Sequence, residues 1–348
     1  MKVRQILPLL LVLLVASLLQ PLGIVTAAPD APETPRSLSV VNRVQGAPLA
    51  SNEPVIPTTW SVVETITPVS APDGITMVEF RGILNVVWGN SSRLYHTYQF
   101  TTGSWSTPRL IAYGRNPSAI VVGDTIQLNF DNIFVNNREI YHIFFDGIRW
   151  ELPNNVSRTT GESQMVALTY SDNQLFATWQ DHTPGYNTTY IGNKKVGDWI
   201  WSNRPIPSGR GDMPKISPIP RHVLVDCWTD EMFDTHVREV LCSELGYDAI
   251  WEPPALVSDS PISATLEIDV VLANPNMVLV TWVENGIVKY SWGYGDVRWT
   301  YVDILGQGEK PVAVSNGQIG TIGWQYGYDN LRFRQWSDKR GDQPIACP

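Results

Sequence analysis

Four short apolar runs fill the stretch from 75 to 111: ITMVEF (75–80), ILNVVW (83–88), RLYHTYQF (93–100) and WSTPRLI (105–111). In each, Val, Ile, Leu, Tyr, Phe, Trp or Thr recur at alternate or continuous positions. Gly, Asn, Asp, Ser or Pro separates one run from the next. That pattern predicts four β-strands joined by short turns. No stretch beyond residue 28 keeps a 3.6-residue apolar period, so no helix is predicted there.

The unit repeats, and tryptophan marks the period. Trp88, Phe130, Trp179, Trp228, Trp282 and Trp324 each close an apolar run, at successive spacings of 42, 49, 49, 54 and 42. Trp60, Trp105, Trp150, Trp201, Trp251 and Trp299 each open another. A period of about 40–50 residues is that of an array or a propeller, and four strands per period make a propeller blade. The predicted fold is therefore all-β, a six-bladed β-propeller of four-stranded blades. In the last unit LRFRQW (331–336) is the third strand and a polar tail follows it. Its outer strand is expected from WSVVETI (60–66), which would tie the chain ends together and remove an open edge. A seven-bladed ring is the alternative. It would need a whole blade from residues 30–60, which are mostly Pro, Ala, Ser and Asn.

The N-terminus adds a destination. A basic start, MKVRQ, precedes an uncharged run, ILPLLLVLLVASLLQPLGIV, and then small residues and a polar Pro-rich segment. This is the order of a secretory signal peptide. The organisation read from the chain is a signal peptide over 1–28, a Pro-rich leader over 29–58, the propeller over 59–337 and a tail over 338–348. A retained membrane anchor is the competing reading of the apolar run, which approaches the spanning length of about 20 residues; Pro8, Gln20 and Pro21 interrupt it. Cleavage after Ala28 makes the protein secreted or periplasmic, with no stable membrane insertion.

The whole chain has 25 basic and 34 acidic residues. Losing Lys2 and Arg4 leaves 23 basic residues and a net charge of −11. Such a balance argues against nucleic acid as a partner. Three cysteines, Cys227, Cys242 and Cys347, allow at most one bridge. Cys227 and Cys242 are near in sequence, but spacing alone does not pair them.

The runs GILNVVWGNSSRLYHTYQFTTGSWSTPRLI (82–111) and GDTIQLNFDNIFVNNREIYHIFFDGIRWELPNNV (123–156) resemble the sialidase superfamily of propellers with bacterial neuraminidase repeats. The resemblance covers about residues 60 to 336. It rests on an aromatic-ended second strand, a Tyr-rich third strand and a Gly-x-x-Trp entry to the fourth. The family's Asp-box survives in worn form as FDGIRW (145–150), and the resemblance implies that Asp146 and Gly147 fold the turn between third and fourth strands. It also implies an exo-acting glycoside hydrolase that grips a carboxylate with three arginines and attacks through a Tyr–Glu pair, with an aspartate as acid/base. The family's first arginine motif is missing; PVIP (54–57) has no arginine. Arg115, Arg138, Arg210 and Arg334 remain the candidates.

In a propeller, the loops between second and third strands and the links between blades build one face, where ligands usually arrive. The loops at 131–139, 181–189 and 229–236 put Asp131, Asp181, His182, Tyr186, Asp230, Glu231 and Asp234 there. Carboxylates sharing a pocket raise one another's pKa, as glycosidases require. Tyr186, Trp228, Tyr326 and Tyr328 are able to stack on sugar rings. Solvated turn residues are the plainer reading of each. His96 and His142 recur at one place in two repeats and read as packing positions. No HExxH, GxSxG or metal-spaced Cys/His cluster appears, and no cofactor or metal is expected.

Arg210-Gly211-Asp212 spells the integrin-binding triplet, and Arg340-Gly341-Asp342 repeats it. The first copy lies in a link between blades, beside YGRNPS (113–118), TGESQ (160–164), SDSPI (258–262) and QGEKPV (307–312). It reads as a turn residue, a polar cap and a proline, and it places Arg210 and Asp212 with Arg115 on the ligand-facing side. The functions in view are a binding module for a glycan or an extracellular protein, a sialidase-type hydrolase, and a structural subunit of an envelope assembly.

Overall fold

The computed structural model describes residues 37–40, 64–68 and 72–337, apart from short stretches at 101, 103, 135–136, 220–222, 233–236, 259–267, 275–276, 295–297, 300–301, 316–318 and 327–329. The expected signal peptide, most of the leader and the tail lie outside the described residues. So do Asp234, Tyr328, Cys347 and the second Arg-Gly-Asp.

Every regular element among the described residues is a β-strand. Sheet 1 joins Pro72–Phe80, Ile83–Asn90, Arg93–Tyr98 and Arg109–Tyr113; sheet 2 joins Arg115–Val122, Thr125–Phe134, Asn137–Phe145 and Asn154–Asn155. Sheet 3 joins Ser163–Ser171, Gln174–Asp181, Thr188–Lys195 and Ser202–Arg210; sheet 4 joins Asp212–Ser217, Leu224–Met232, Val237–Leu245 and Ala255–Leu256. In sheet 5, Ile268–Asn274, Met277–Glu284 and Ile287–Tyr294 are followed by Arg298–Trp299 and Asp303–Gln307, both paired to Ile287–Tyr294. Sheet 6 has Glu309–Ser315, Ile319–Tyr326 and Asn330–Ser337. All pairings are antiparallel. The first strand of each sheet packs on the first strand of the next, from sheet 1 through to sheet 6. Consecutive four-stranded sheets packed in this way are the blades of a β-propeller.

The closure expected from 60–66 is not seen among the described residues, and 60–63 lie outside them. Sheet 6 has three strands among the described residues, and Glu64–Pro68 pairs with Ser37–Val40 instead. The leader holds a strand that its polar composition concealed, and a partner near in sequence costs less closure entropy than one at the far end of the chain.

The second strand of each sheet lies between neighbouring blades, so it is buried on both faces. Met277–Glu284 is buried at all eight positions, which is why these strands read as continuous apolar runs. Trp88, Trp179, Trp228 and Trp282 are almost fully buried at their ends. Gly114, Gly211 and Gly308, each in the link entering the same blade, lie flat on Phe130, Trp228 and Trp324 respectively. A Cβ on Gly211 would sit 2.7 Å from Trp228 Cδ1.

The next residues in the chain carry a second repeated device. Gly74, Asn116, Met165, Met213 and Lys310 adopt left-handed backbone, with φ of 91°, 48°, 57°, 52° and 50°. Each coincides with a break in strand register at the start of its sheet. These are β-bulges, which re-aim the residue beside them. Just beyond, the inner strands hydrogen-bond across blades. Ala119 N donates to Thr76 Oγ1 at 3.1 Å, Leu168 N to Ser118 Oγ at 3.0 Å and Ala313 N to Asp269 Oδ2 at 2.9 Å.

His96 and His142 pack between blades. His96 Nε2 meets Asn85 Oδ1 at 2.9 Å, and Trp150 Nε1 of the next sheet donates to His96 Nδ1 at 3.3 Å. His142 Nε2 meets Gln127 Oε1 at 2.9 Å and its ring lies edge-on to Trp201. Asp146 Oδ1 accepts from Ile148 N and Arg149 N at 2.7 and 2.8 Å and so closes the turn before Trp150. Cys227 and Cys242 face each other across the second and third strands of sheet 4 and form a buried disulfide, Cα–Cα 4.1 Å.

Two consequences are measurable. Gly211→Ala should lower unfolding stability by about 1–3 kcal/mol, because the ring beneath cannot move aside. Arg210→Ala should cost about 0.5–1 kcal/mol, as a surface cation–π contact does. Equal costs in chemical denaturation would show that the glycine is not pinned to the ring. Burial, and then Arg109, holds His96 down at about 4. Between its ordinary value of 6.5 and that value the unfolded chain is protonated here and the folded chain is not, so stability falls as the pH drops across that window. Asp131, Asp226 and Asp269 are pushed up by burial and oppose the trend on acidification. His96→Gln isolates the histidine: its stability should decline less than that of the wild type from pH 6.5 to 4, and parallel profiles would refute the assignment.

Candidate functional site

Strand direction alternates within a blade, so the turns between second and third strands and the links between sheets emerge on one face. A cleft of about 490 Å³ opens on that face between sheets 1 and 2. Ser92 comes from the turn of sheet 1, Tyr113, Gly114 and Arg115 from the link, and Asp131, Asn132 and Ile133 from the second strand of sheet 2. Gly114 lies on Phe130, which brings the link down beside that strand and places Arg115 at the bulge.

Arg115 Nε donates to Ser92 Oγ at 2.9 Å and lies 3.7 Å from Asp73 Oδ2. Asp73 Oδ2 also accepts from Ser92 N at 3.2 Å. Both contacts of the guanidinium are through Nε, and among the described residues no hydrogen bond from its two terminal nitrogens occurs. The side chain is 41% exposed. Tyr113 and Ile133 stand more than half exposed at the rim.

Asp131 is buried beneath them. Its Oδ2 accepts from Asn116 Nδ2 at 2.7 Å and from Met165 N at 3.3 Å, and its Oδ1 lies 4.0 Å from Arg138 Nε. Burial raises its carboxyl above the usual range, against the pull of these donors and of Arg115. It lashes sheet 2 to the bulges of its own sheet and of sheet 3. Glu139 is similarly occupied by Ser157 and by Asn137 Nδ2.

A second group forms where sheet 3 meets sheet 4, and it gathers four of the residues expected from the sequence. The Arg210 guanidinium lies 4.7 Å over the Tyr186 ring. His182 Nδ1 meets Asn187 Oδ1 at 3.2 Å, Asn187 Nδ2 donates to Asp212 Oδ1 at 2.7 Å, and Arg238 Nη2 approaches Asp212 Oδ2 at 3.6 Å. Both oxygens of Asp212 are thus engaged within the fold. Arg210-Gly211-Asp212 is a strand end, a glycine packed on tryptophan and a bulge.

The expectation that Asp181 meets a ligand is corrected. It is fully buried, and Thr159 Oγ1 and Ser163 Oγ each donate to Oδ2 at 2.8 Å, Trp179 Nε1 to Oδ2 at 3.2 Å and Thr183 N to Oδ1 at 2.8 Å. The polar loop that suggested exposure supplies only Thr183 N; Thr159 and Ser163 come from the link entering the sheet and Trp179 from the strand itself. Asp230 is partly buried and faces Glu239 in the strand register. Glu231 is in the same strand, with its side chain outside the described atoms. Tyr326 belongs to sheet 6, with the Arg332 guanidinium 3.6 Å over its ring. The nine candidates therefore fall into separate groups, Arg115 in one and Arg210 in another. Ser92, Tyr113, Asn132 and Ile133 were not foreseen; the Gly-Arg-Asn-Pro link was their signal. No cluster of three or more metal-ligating side chains occurs among the described residues.

Asp181→Ala should cost about 3 kcal/mol or more, since it strands several buried donors. His182→Ala should stay within about 0.5 kcal/mol. Urea denaturation distinguishes a structural aspartate from a ligand-facing one, which would show the reverse order.

No family profile and no curated protein matches the sequence. Among solved structures, a protein of unknown function from Dyadobacter fermentans is similar at 9% identity, TM-score 0.53, over 76% of this chain and 93% of that one. A triple arginine-to-alanine variant of AofleA from Arthrobotrys oligospora is similar at 11% identity, TM-score 0.52, over 76% and 83%. These two likenesses speak to the fold alone. A family 117 glycoside hydrolase from Zobellia galactanivorans is more distant, with 10% identity and TM-score 0.43 over 77% and 92%.

Proposed function

We propose that this is an exported, six-bladed, sialidase-like β-propeller that binds carbohydrate through the cleft between its first two blades. The observation that carries the reading is Arg115. It is fixed through Nε by Ser92 and Asp73, and its uncommitted nitrogens line a 490 Å³ cleft. That size is within the usual range for small-ligand sites of about 300–1,000 Å³. The exposed Tyr113 ring offers a stacking surface for a sugar, and Asn132 adds amide donors and an acceptor to the lining. A fixed guanidinium beside a ring suits a hydroxyl-rich or acidic sugar. Secretion would bring the site to extracellular or periplasmic glycans.

On a glycan array the wild type should give a defined ligand set. Arg115→Gln should weaken those ligands by about tenfold or more, as loss of a charge-assisted contact does, while Arg149→Gln, in a turn on the other face, should leave them unchanged. An empty array, or binding indifferent to Arg115, overturns the proposal. Hydrolysis is the second reading, favoured by the raised carboxyl of Asp131 at the floor of the cleft. Fluorophore release from aryl glycosides that disappears in Asp131→Asn would move the assignment there.

A further inference from the structure

The opposite face of the same blade pair holds a larger cleft, of about 690 Å³. It is built from the turn between first and second strands of sheet 1 and from the turns that enter the fourth strands of sheets 1 and 2. We propose that it is a second binding site, for an anion with a flat apolar body, such as an aromatic carboxylate, sulfate or phosphate ester.

Two aromatic walls face the space. From sheet 1, Tyr98 and Phe100 meet edge to face at 5.1 Å between centroids. From sheet 2, Phe145 and Trp150 lie 5.2 Å apart at 30°. Trp88, Trp179, Trp228, Trp282 and Phe130 pack between blades and are covered. Phe100 is 45% exposed and Tyr98 36%, although both line a concave surface. Rings left open on facing walls fit an inserted flat body.

The charge argument comes from Arg109. Its side chain is exposed and lines the cleft. No carboxylate lies within ion-pair distance of it among the described residues. Its neighbour His96 is kept neutral by burial and then by Arg109 itself, so the two groups do not repel one another. Arg81, by contrast, is 3.8 Å from Asp124 and lies on the Phe80 ring. What sets Arg109 apart is its place, since its guanidinium stands at a cleft walled by exposed rings, where it would meet an acid supplied from outside. Tyr98 and Thr107 line the same space and bring hydroxyls to it.

Paired dyes test this on the intact protein by fluorescence titration. The anionic probe is 8-anilinonaphthalene-1-sulfonate, and the neutral one is N-phenyl-1-naphthylamine, which has the same rings without the sulfonate. The wild type should prefer the sulfonate by about tenfold, the effect of one charge-assisted contact. Arg109→Gln should bring the two dyes level, and Phe100→Ala should weaken both by about threefold or more. Arg115→Gln, in the cleft of the other face, should change neither, so this test stands or falls apart from the glycan assignment. Equal affinity for both dyes in the wild type, indifference to Arg109 or Phe100, or loss in Arg115→Gln would overturn the proposal.

Discussion

The contact on which the rest depends is a glycine laid against an aromatic ring. Gly114 on Phe130, Gly211 on Trp228 and Gly308 on Trp324 join the link entering a blade to the second strand of that blade. Each ring buries about 150–250 Å², so its removal from water is among the larger favourable terms in the chain. Any side chain in place of the glycine would lift the link off the ring. Because the contact recurs in three of the six sheets, it sets where the chain enters those blades, and with it part of the shape of the face those links compose.

That constraint explains why chemistry gathers at the same point in successive repeats. Pressing the link onto the ring leaves one residue before the bulge, and the left-handed residue then turns the chain into the inner strand. The residues at that place are Asp73, Arg115, Gln164, Asp212 and Glu309. All are polar or charged, and none has the same job. Asp73 braces Arg115, Asp212 is held by Asn187 and Arg238, and Arg115 alone lines the cleft with terminal nitrogens to spare. A repeated backbone device thus supplies positions, while the side chain at each decides between bracing and binding.

The periodic part of this was legible in the sequence. Aromatic ends of second strands, the junction glycines and the paired histidines recur at fixed places, and each corresponds to a packing contact. What was not legible depends on long-range donors. Asp181 sits in a polar loop like any solvated turn residue, and only folding brings Thr159 and Ser163 from the neighbouring link to it. Ser37–Val40 is too short and too polar to stand out, and its pairing with Glu64–Pro68 depends on which edge is near. The disulfide was open for the same reason: spacing allows it, but only the register sets Cys227 opposite Cys242.

Those long-range donors also bear on binding against catalysis. A glycosidase needs two carboxylates facing one cleft with their protons free to move. On this face Asp131, Asp181 and Asp212 are all drawn into seams between blades, accepting from backbone amides, hydroxyls, an indole and arginine side chains. A carboxylate that completes a seam cannot release its partners without loosening two blades at once. Arginine behaves differently, since its donors diverge: Nε of Arg115 closes the seam with Ser92 and Asp73 while the far end of the same group reaches the cleft. Asp131, Asp181 and Asp212 thus hold the scaffold together while Arg115 lines the cleft, and that division of labour is what the binding proposal rests on.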